Sequence, residues 1–168
     1  EAGAAPRDTD DDEDARDEDA ASGDLETYES TLYGYSITYD PAVWILVEDQ
    51  LPDDDYDWVS FATAGGFVSI VGDPDYDGDE LDSCVDDYLA ILEGSDGVAD
   101  VRELRNQGGE EDDRVWAVFS YEYDDGETSE AYVRSISCQS LDDVTVVVML
   151  DGPEAGYDAF AEEAEQLL

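Results

Sequence analysis

The chain is 168 residues long, carries 49 Asp and Glu against 6 Lys and Arg, has no His, and bears a formal net charge of −43. The bases are all Arg, at 7, 16, 102, 105, 114 and 134, which argues against nucleic acid and anionic membranes as partners, because phosphate binding needs clustered Arg or Lys. The same inventory leaves no Ser-His or Cys-His dyad, Schiff-base lysine or P-loop, and the length suits one core rather than two.

Residues 1–28 read as a disordered acidic tether. The run Asp8 to Asp14, followed by Asp17, Glu18 and Asp19, has no hydrophobic period. Such a segment cannot bury enough apolar surface to offset its ordering entropy, and like charges extend it. The alternative is a terminus with no role. The acid excess also points to a saline setting. Self-repulsion opposes compaction in dilute buffer, whereas at molar salt the Debye length falls to about 3 Å. A GC-rich genome would explain the missing Lys but not the acids. The chain starts at Glu1, so something upstream is expected to have been removed; an acidic spacer ahead of a folded domain is what an anchored surface protein would need, so the protein is expected outside the cell or on its surface, anchored through a missing N-terminal segment. No stretch approaches the roughly 20 apolar residues of a membrane span, so this segment is not expected to insert directly.

A single domain is expected over 29–168. Leu32 to Tyr39 alternates, with Tyr33, Tyr35, Ile37 and Tyr39 on one face, as a strand would. Asp40-Pro41 breaks it. Val43–Val47, Trp58–Thr63 and Phe67–Val71 follow as strands, the last two joined by a Gly65-Gly66 hairpin turn. The period then changes to that of an amphipathic helix through Leu81, Cys84, Val85, Tyr88, Leu89 and Leu92. Asp79 and Asp82 suggest a capping box, and Gly94 a stop. Four strands are expected next, at Val98–Leu104, Arg114–Tyr123, Ala131–Gln139 and Val144–Leu150. The last is nearly all apolar and belongs in the middle of the sheet. Asp151-Gly152-Pro153 is expected to open a second helix, with Tyr157, Phe160, Ala161, Ala164 and Leu168 as its stripe. The order ββββαββββα with short links describes an α+β fold, an antiparallel sheet flanked by two helices.

The phrase Tyr33-Gly34-Tyr35-Ser36-Ile37-Thr38-Tyr39-Asp40-Pro41-Ala42-Val43-Trp44 resembles the opening strand and turn of PsbP/Mog1-like domains. That resemblance implies an α/β/α sandwich closed by a C-terminal helix, similar in layout to bacterial lipoproteins of that fold. Asp40-Pro41 departs from the family's plainer Tyr-Pro junction, and the acidic surface is unlike typical members. The family includes an extrinsic photosystem subunit, a binder of a small GTPase and lipoproteins of unassigned role, so the fold implies no single function.

Two features carry possible chemistry. Cys84, on the helix stripe, and Cys138, sharing a face with Ile136, are the two cysteines. In an exported chain they read as a helix-to-sheet disulfide, and in a cytosolic one as buried thiols. Asp73, Asp75, Asp77 and Asp79 alternate around Gly78 as oxygen ligands do in calcium loops, with Asp82 as a further ligand. The EF-hand pattern fails at its twelfth position, which is Cys84, and a strand precedes the loop. Because 31 residues are Asp, composition alone can generate such a run, and a solvated acidic turn is the alternative. Asp53-Asp54-Asp55 with Asp57 reads as surface. Arg134 is expected to face inward as an ion-pair partner or to lie at the sheet edge, and Trp44, Trp58 and Trp116 are assigned to the core. The leading expectation is a non-enzymatic binding or accessory domain that attracts cations and a basic protein partner. A calcium-stabilised structural domain using the 73–79 loop is second, and a carboxylate-only hydrolase third.

Overall fold

Alternation in the last long strand organises the architecture. In β9 (Val144–Pro153), Val147 and Met149 face one side while Val146, Val148 and Leu150 face the other. A strand apolar on both faces must be covered on both, and β9 is the middle strand of the main sheet. The computed structural model describes residues 25–48, 56–76, 80–109, 114–141 and 144–168. The other strands are β3 (Ile45–Glu48), β4 (Asp57–Ala62), β5 (Phe67–Asp73), β6 (Val98–Gly109), β7 (Arg114–Asp124) and β8 (Ser129–Leu141). They lie in the order β3-β4-β5-β9-β8-β7-β6, with every neighbouring pair antiparallel.

The helix α1 (Leu81–Glu93) joins β5 to the far edge strand β6 and therefore crosses the sheet. Its buried side chains, Leu81, Cys84, Val85, Tyr88 and Leu92, pack on Val71, Phe119, Ile136 and Val147. Cys84 and Cys138 are joined in a disulfide across 54 residues. In the chain-entropy account a loop of that size stabilises by about 4 kcal/mol. The opposite face is covered by α2 (Tyr157–Ala164) together with a small sheet of β1 (Glu26–Glu29) and β2 (Ser36–Tyr39). There Phe61 and Val59 are fully buried, each contributing about 1.5–3 kcal/mol. The result is the expected α+β sandwich, with one short strand ahead of the expected order.

Several details differ from the sequence reading. Strand β1 starts at Glu26, inside the segment assigned to the tether; residues 1–24 lie outside the described residues. Its four residues pair with β2, and Tyr39 donates to Glu26 Oε2 at 2.8 Å. The strand expected from Leu32 begins only at Ser36, because Gly34 takes a left-handed φ of 73° and the chain turns there. The capping box expected of Asp79 and Asp82 lies partly outside the described residues, since Asp79 does. Glu80 is the N-cap and makes no side-chain cap bond, and Asp82 lies exposed in the first turn. Asp151, Gly152 and Pro153 extend β9 instead of opening a helix, because they pair with Arg134, Val133 and Tyr132 of β8. The second helix starts after Gly156, and Leu167, not Leu168, continues its buried stripe. Trp44 is core as expected, while Trp58 and Trp116 are half-buried. A Cβ at Gly66 would collide with the Asp151 carbonyl and the Phe160 ring, so the β4–β5 turn needs glycine for α2 to pack.

Candidate functional site

Because α1 crosses β6, β7 and β8, it leaves the β3-β4-β5 end of its face open. Two adjoining cavities flank α1, the first at that end and the second over β7 and β8 beside the end of the helix. One, of about 360 Å³, lies between Val47, Trp58 and Phe67 on the sheet and Tyr88 and Ile91 on the helix. The other, of about 290 Å³, is lined by Leu92, Tyr121, Tyr123 and Tyr132. Both share Phe67, Ser95, Arg134 and Asp151.

Strand register places the shared pair. Arg134 on β8 stands directly opposite Asp151 on β9, where side chains of one face meet. Arg134 Nε donates to Asp151 Oδ2 at 2.7 Å, and Nη2 donates to the same oxygen. The Tyr121 hydroxyl donates to Oδ1 at 2.6 Å, so both carboxylate oxygens are engaged. The guanidinium also sits 5.9 Å from the centre of the Tyr121 ring. Burial, and then the Asp151 charge beside it, pushes the Tyr121 phenol well above its ordinary value. Arg134 is thus an inward-facing ion-pair partner, as the sequence suggested. This is the one salt bridge among the described residues.

Tyrosine supplies donors where Lys and Arg are scarce. Tyr28 donates to Asp57 at 2.7 Å, Tyr76 to Asp87 at 2.9 Å, Tyr88 to Asp73 at 2.9 Å, and Tyr56 to Asp75. Such bonds are charge-assisted and stronger than neutral ones. They also account for part of the expected calcium loop. Asp73 is 4% exposed, accepts from Tyr88 and from the Asp75 N–H, and has its pKa raised chiefly by burial. Asp75 is exposed and takes the Tyr56 hydroxyl. Asp77 and Asp79 lie outside the described residues, as do Asp53, Asp54 and Asp55, and Asp82 is on the solvent side of α1. Among the described residues no group of three Cys, Asp or Glu is arranged to hold a metal ion.

Beside the ion pair, Tyr121 and Tyr132 stack at 5.7 Å, and Tyr123 meets Tyr132 edge-on at 6.0 Å. Sequence reading missed this cluster. Its signal was present in the alternation Tyr121, Tyr123 on one strand and Tyr132, Arg134 on the next, once the β7–β8 register aligns Tyr121 with Tyr132. On the opposite face a broader groove of about 880 Å³ has Arg114 at its rim, whose Nε donates to Ser137 at 2.7 Å. No helix among the described residues is long and apolar enough to cross a membrane.

No protein-family model matches the chain, and no curated protein shows significant sequence similarity to it. Solved structures do match. Cyanobacterial PsbP (CyanoP) from Synechocystis is 16% identical with a TM-score of 0.50, over 85% of this chain and 88% of that one. The Ran-binding protein Mog1p of Saccharomyces cerevisiae is 12% identical with a TM-score of 0.51, over 88% of this chain and 86% of that one. Across most of its length, the chain therefore has the PsbP/Mog1-like fold.

Proposed function

We propose that this is a non-catalytic binding or accessory domain, working outside the cytoplasm, that docks a basic segment of a protein partner in the cleft between α1 and the β3-β4-β5 end of the sheet. One observation carries this reading. In a chain of net charge −43, Val47, Phe67 and Ile91 are 37%, 53% and 56% exposed around one cleft. Grouped exposure of large apolar side chains marks interaction surfaces, and the surrounding negative field selects a cationic partner and speeds its encounter. The fold supports an accessory role by analogy, since one protein sharing it is a Ran-binding protein. The Cys84–Cys138 disulfide supports export to an oxidising compartment, and the acid excess supports a surface adapted to salt.

The calcium-stabilised alternative would have to draw on Asp75, Asp77, Asp79 and Asp82, since Asp73 is already committed to Tyr88 and to its own turn. The carboxylate-only hydrolase has less support, because Asp151, the carboxylate in the cleft, is held by Arg134 and Tyr121. The test uses fluorescence anisotropy with three labelled peptides: alternating Arg and Leu, alternating Arg and Ser, and alternating Glu and Leu. The Arg-Leu peptide should bind tightest, and Ile91→Asp or Phe67→Ser should weaken it about tenfold, the loss expected when a central apolar contact is removed. Equal binding of the Arg-Ser peptide, or no effect of either substitution, would reduce the cleft to part of a general ion atmosphere.

A further inference from the structure

The aromatic cavity beside the docking cleft has a chemistry of its own. It is walled by Phe67, Tyr121, Tyr123 and Tyr132, with Leu92 and Val98 closing it. Phe67 and Tyr123 are 53% and 40% exposed, so their rings are open to a ligand. The carboxylate that would suit a hydrated metal ion or a primary ammonium is already engaged. Asp151 accepts from Arg134 and Tyr121, and Ser95 Oγ donates to the Ile91 carbonyl at 2.8 Å. What remains is largely ring face and hydrocarbon, within the field of a strongly anionic chain. Ring faces attract cations through their quadrupole, most effectively cations that shed water cheaply. A delocalised cation, the Arg134 guanidinium, already lies over the Tyr121 ring. The volume of about 290 Å³ is at the lower limit of ligand cavities, roughly 300–1,000 Å³, which suits a small molecule.

We propose that this cavity binds a small methylated ammonium cation of the choline type, its methyl groups against Tyr123, Tyr132 and Phe67. The site adjoins the peptide cleft and shares Phe67 with it, while peptide docking depends further on Ile91 and Trp58, which do not line this cavity.

The test is an NMR titration of the folded protein with choline and with its uncharged isostere, in which carbon replaces the nitrogen. A background of about 2 M NaCl screens general attraction. Choline should bind about tenfold more tightly than the isostere and shift the ring signals of Tyr123 and Tyr132. Tyr123→Leu and Tyr132→Leu should each lower choline affinity about fivefold while preserving apolar volume, with thermal melts showing that both variants fold. Equal affinity for the two ligands, or choline binding untouched in both variants, would overturn the proposal. So would failure of choline to bind, even if the Arg-Leu peptide docks normally. Given choline binding, co-sedimentation with phosphatidylcholine vesicles would assign the source as a lipid headgroup, and its absence a free solute; both support the site.

Discussion

The Tyr88 hydroxyl donates to Asp73 Oδ2 at 2.9 Å beneath α1, joining the end of β5 to the middle of the helix that follows. Asp73 is almost fully buried and has no cation beside it among the described residues. Its carboxylate therefore depends on Tyr88 and the Asp75 N–H.

Tyr88→Phe should destabilise the domain by about 1.5–3 kcal/mol, because it strips a charge-assisted bond from a buried carboxylate. Asp73→Asn should cost far less at neutral pH, since it removes the buried charge. The sign follows from the raised carboxyl pKa. The contribution of protonated Asp73 is fully present below the unfolded pKa and is lost as pH rises through the folded one. The Asn variant should accordingly gain on the parent between acid and neutral pH in urea melts. A constant difference would contradict this role for Asp73.

Alkali should expose the tyrosine network. Burial is the leading cause of the raised pKa values of Tyr35, Tyr76, Tyr88 and Tyr121, whose ordinary value is 10.0. Folded phenols with raised pKa contribute stability below the unfolded value and lose it as pH climbs beyond. Spectrophotometric titration should show these phenols ionising only as the protein unfolds, above the pH at which they ionise in urea. Free titration of every tyrosine near its ordinary value, in folded protein, would contradict the network.

Much of the fold was legible because alternation is a local property. Alternation and short apolar runs located eight of the nine strands, although β2 starts at Ser36 and not Leu32 and β6 runs to Gly109 and not Leu104; the helical stripe located α1, and the apolar run of β9 marked it as central. Strand β1 escaped because Glu26-Thr27-Tyr28-Glu29 is short and acidic, and its ordering depends on remote partners such as Asp57, which accepts from Tyr28. Asp151-Gly152-Pro153 has turn composition, yet pairing with β8 and the bond to Arg134 keep it in the sheet. The cleft was less legible still. It needs β9 inserted between β5 and β8, which brings Phe67 beside Asp151, and no local pattern encodes that long-range crossover.

The disulfide yields a simple prediction. Thiol labelling of unfolded, unreduced protein should find no free cysteine, and paired Cys84→Ser and Cys138→Ser changes should cost about 2–5 kcal/mol. Two free thiols would remove the main support for export.

Salt and calcium separate general from specific cation effects. Melting temperature should rise from dilute buffer to about 2 M NaCl as self-repulsion is screened; equal melting points would contradict salt adaptation. At fixed ionic strength, millimolar calcium against EDTA should give no further shift if the Asp loop is structural. A site filled to about 100 times its Kd would instead add about 2.7 kcal/mol, and that gain should vanish on joint Asp75→Ala and Asp77→Ala substitution.

The most direct measurement is an amide chemical-shift map of the Arg-Leu peptide on isotopically labelled protein. The docking account predicts shifts concentrated at Val47, Phe67, Ile91 and the Trp58 indole, with the opposite face around Arg114 and Ser137 unmoved. Shifts spread over the acidic surface, or centred on the Arg114 groove, would contradict it.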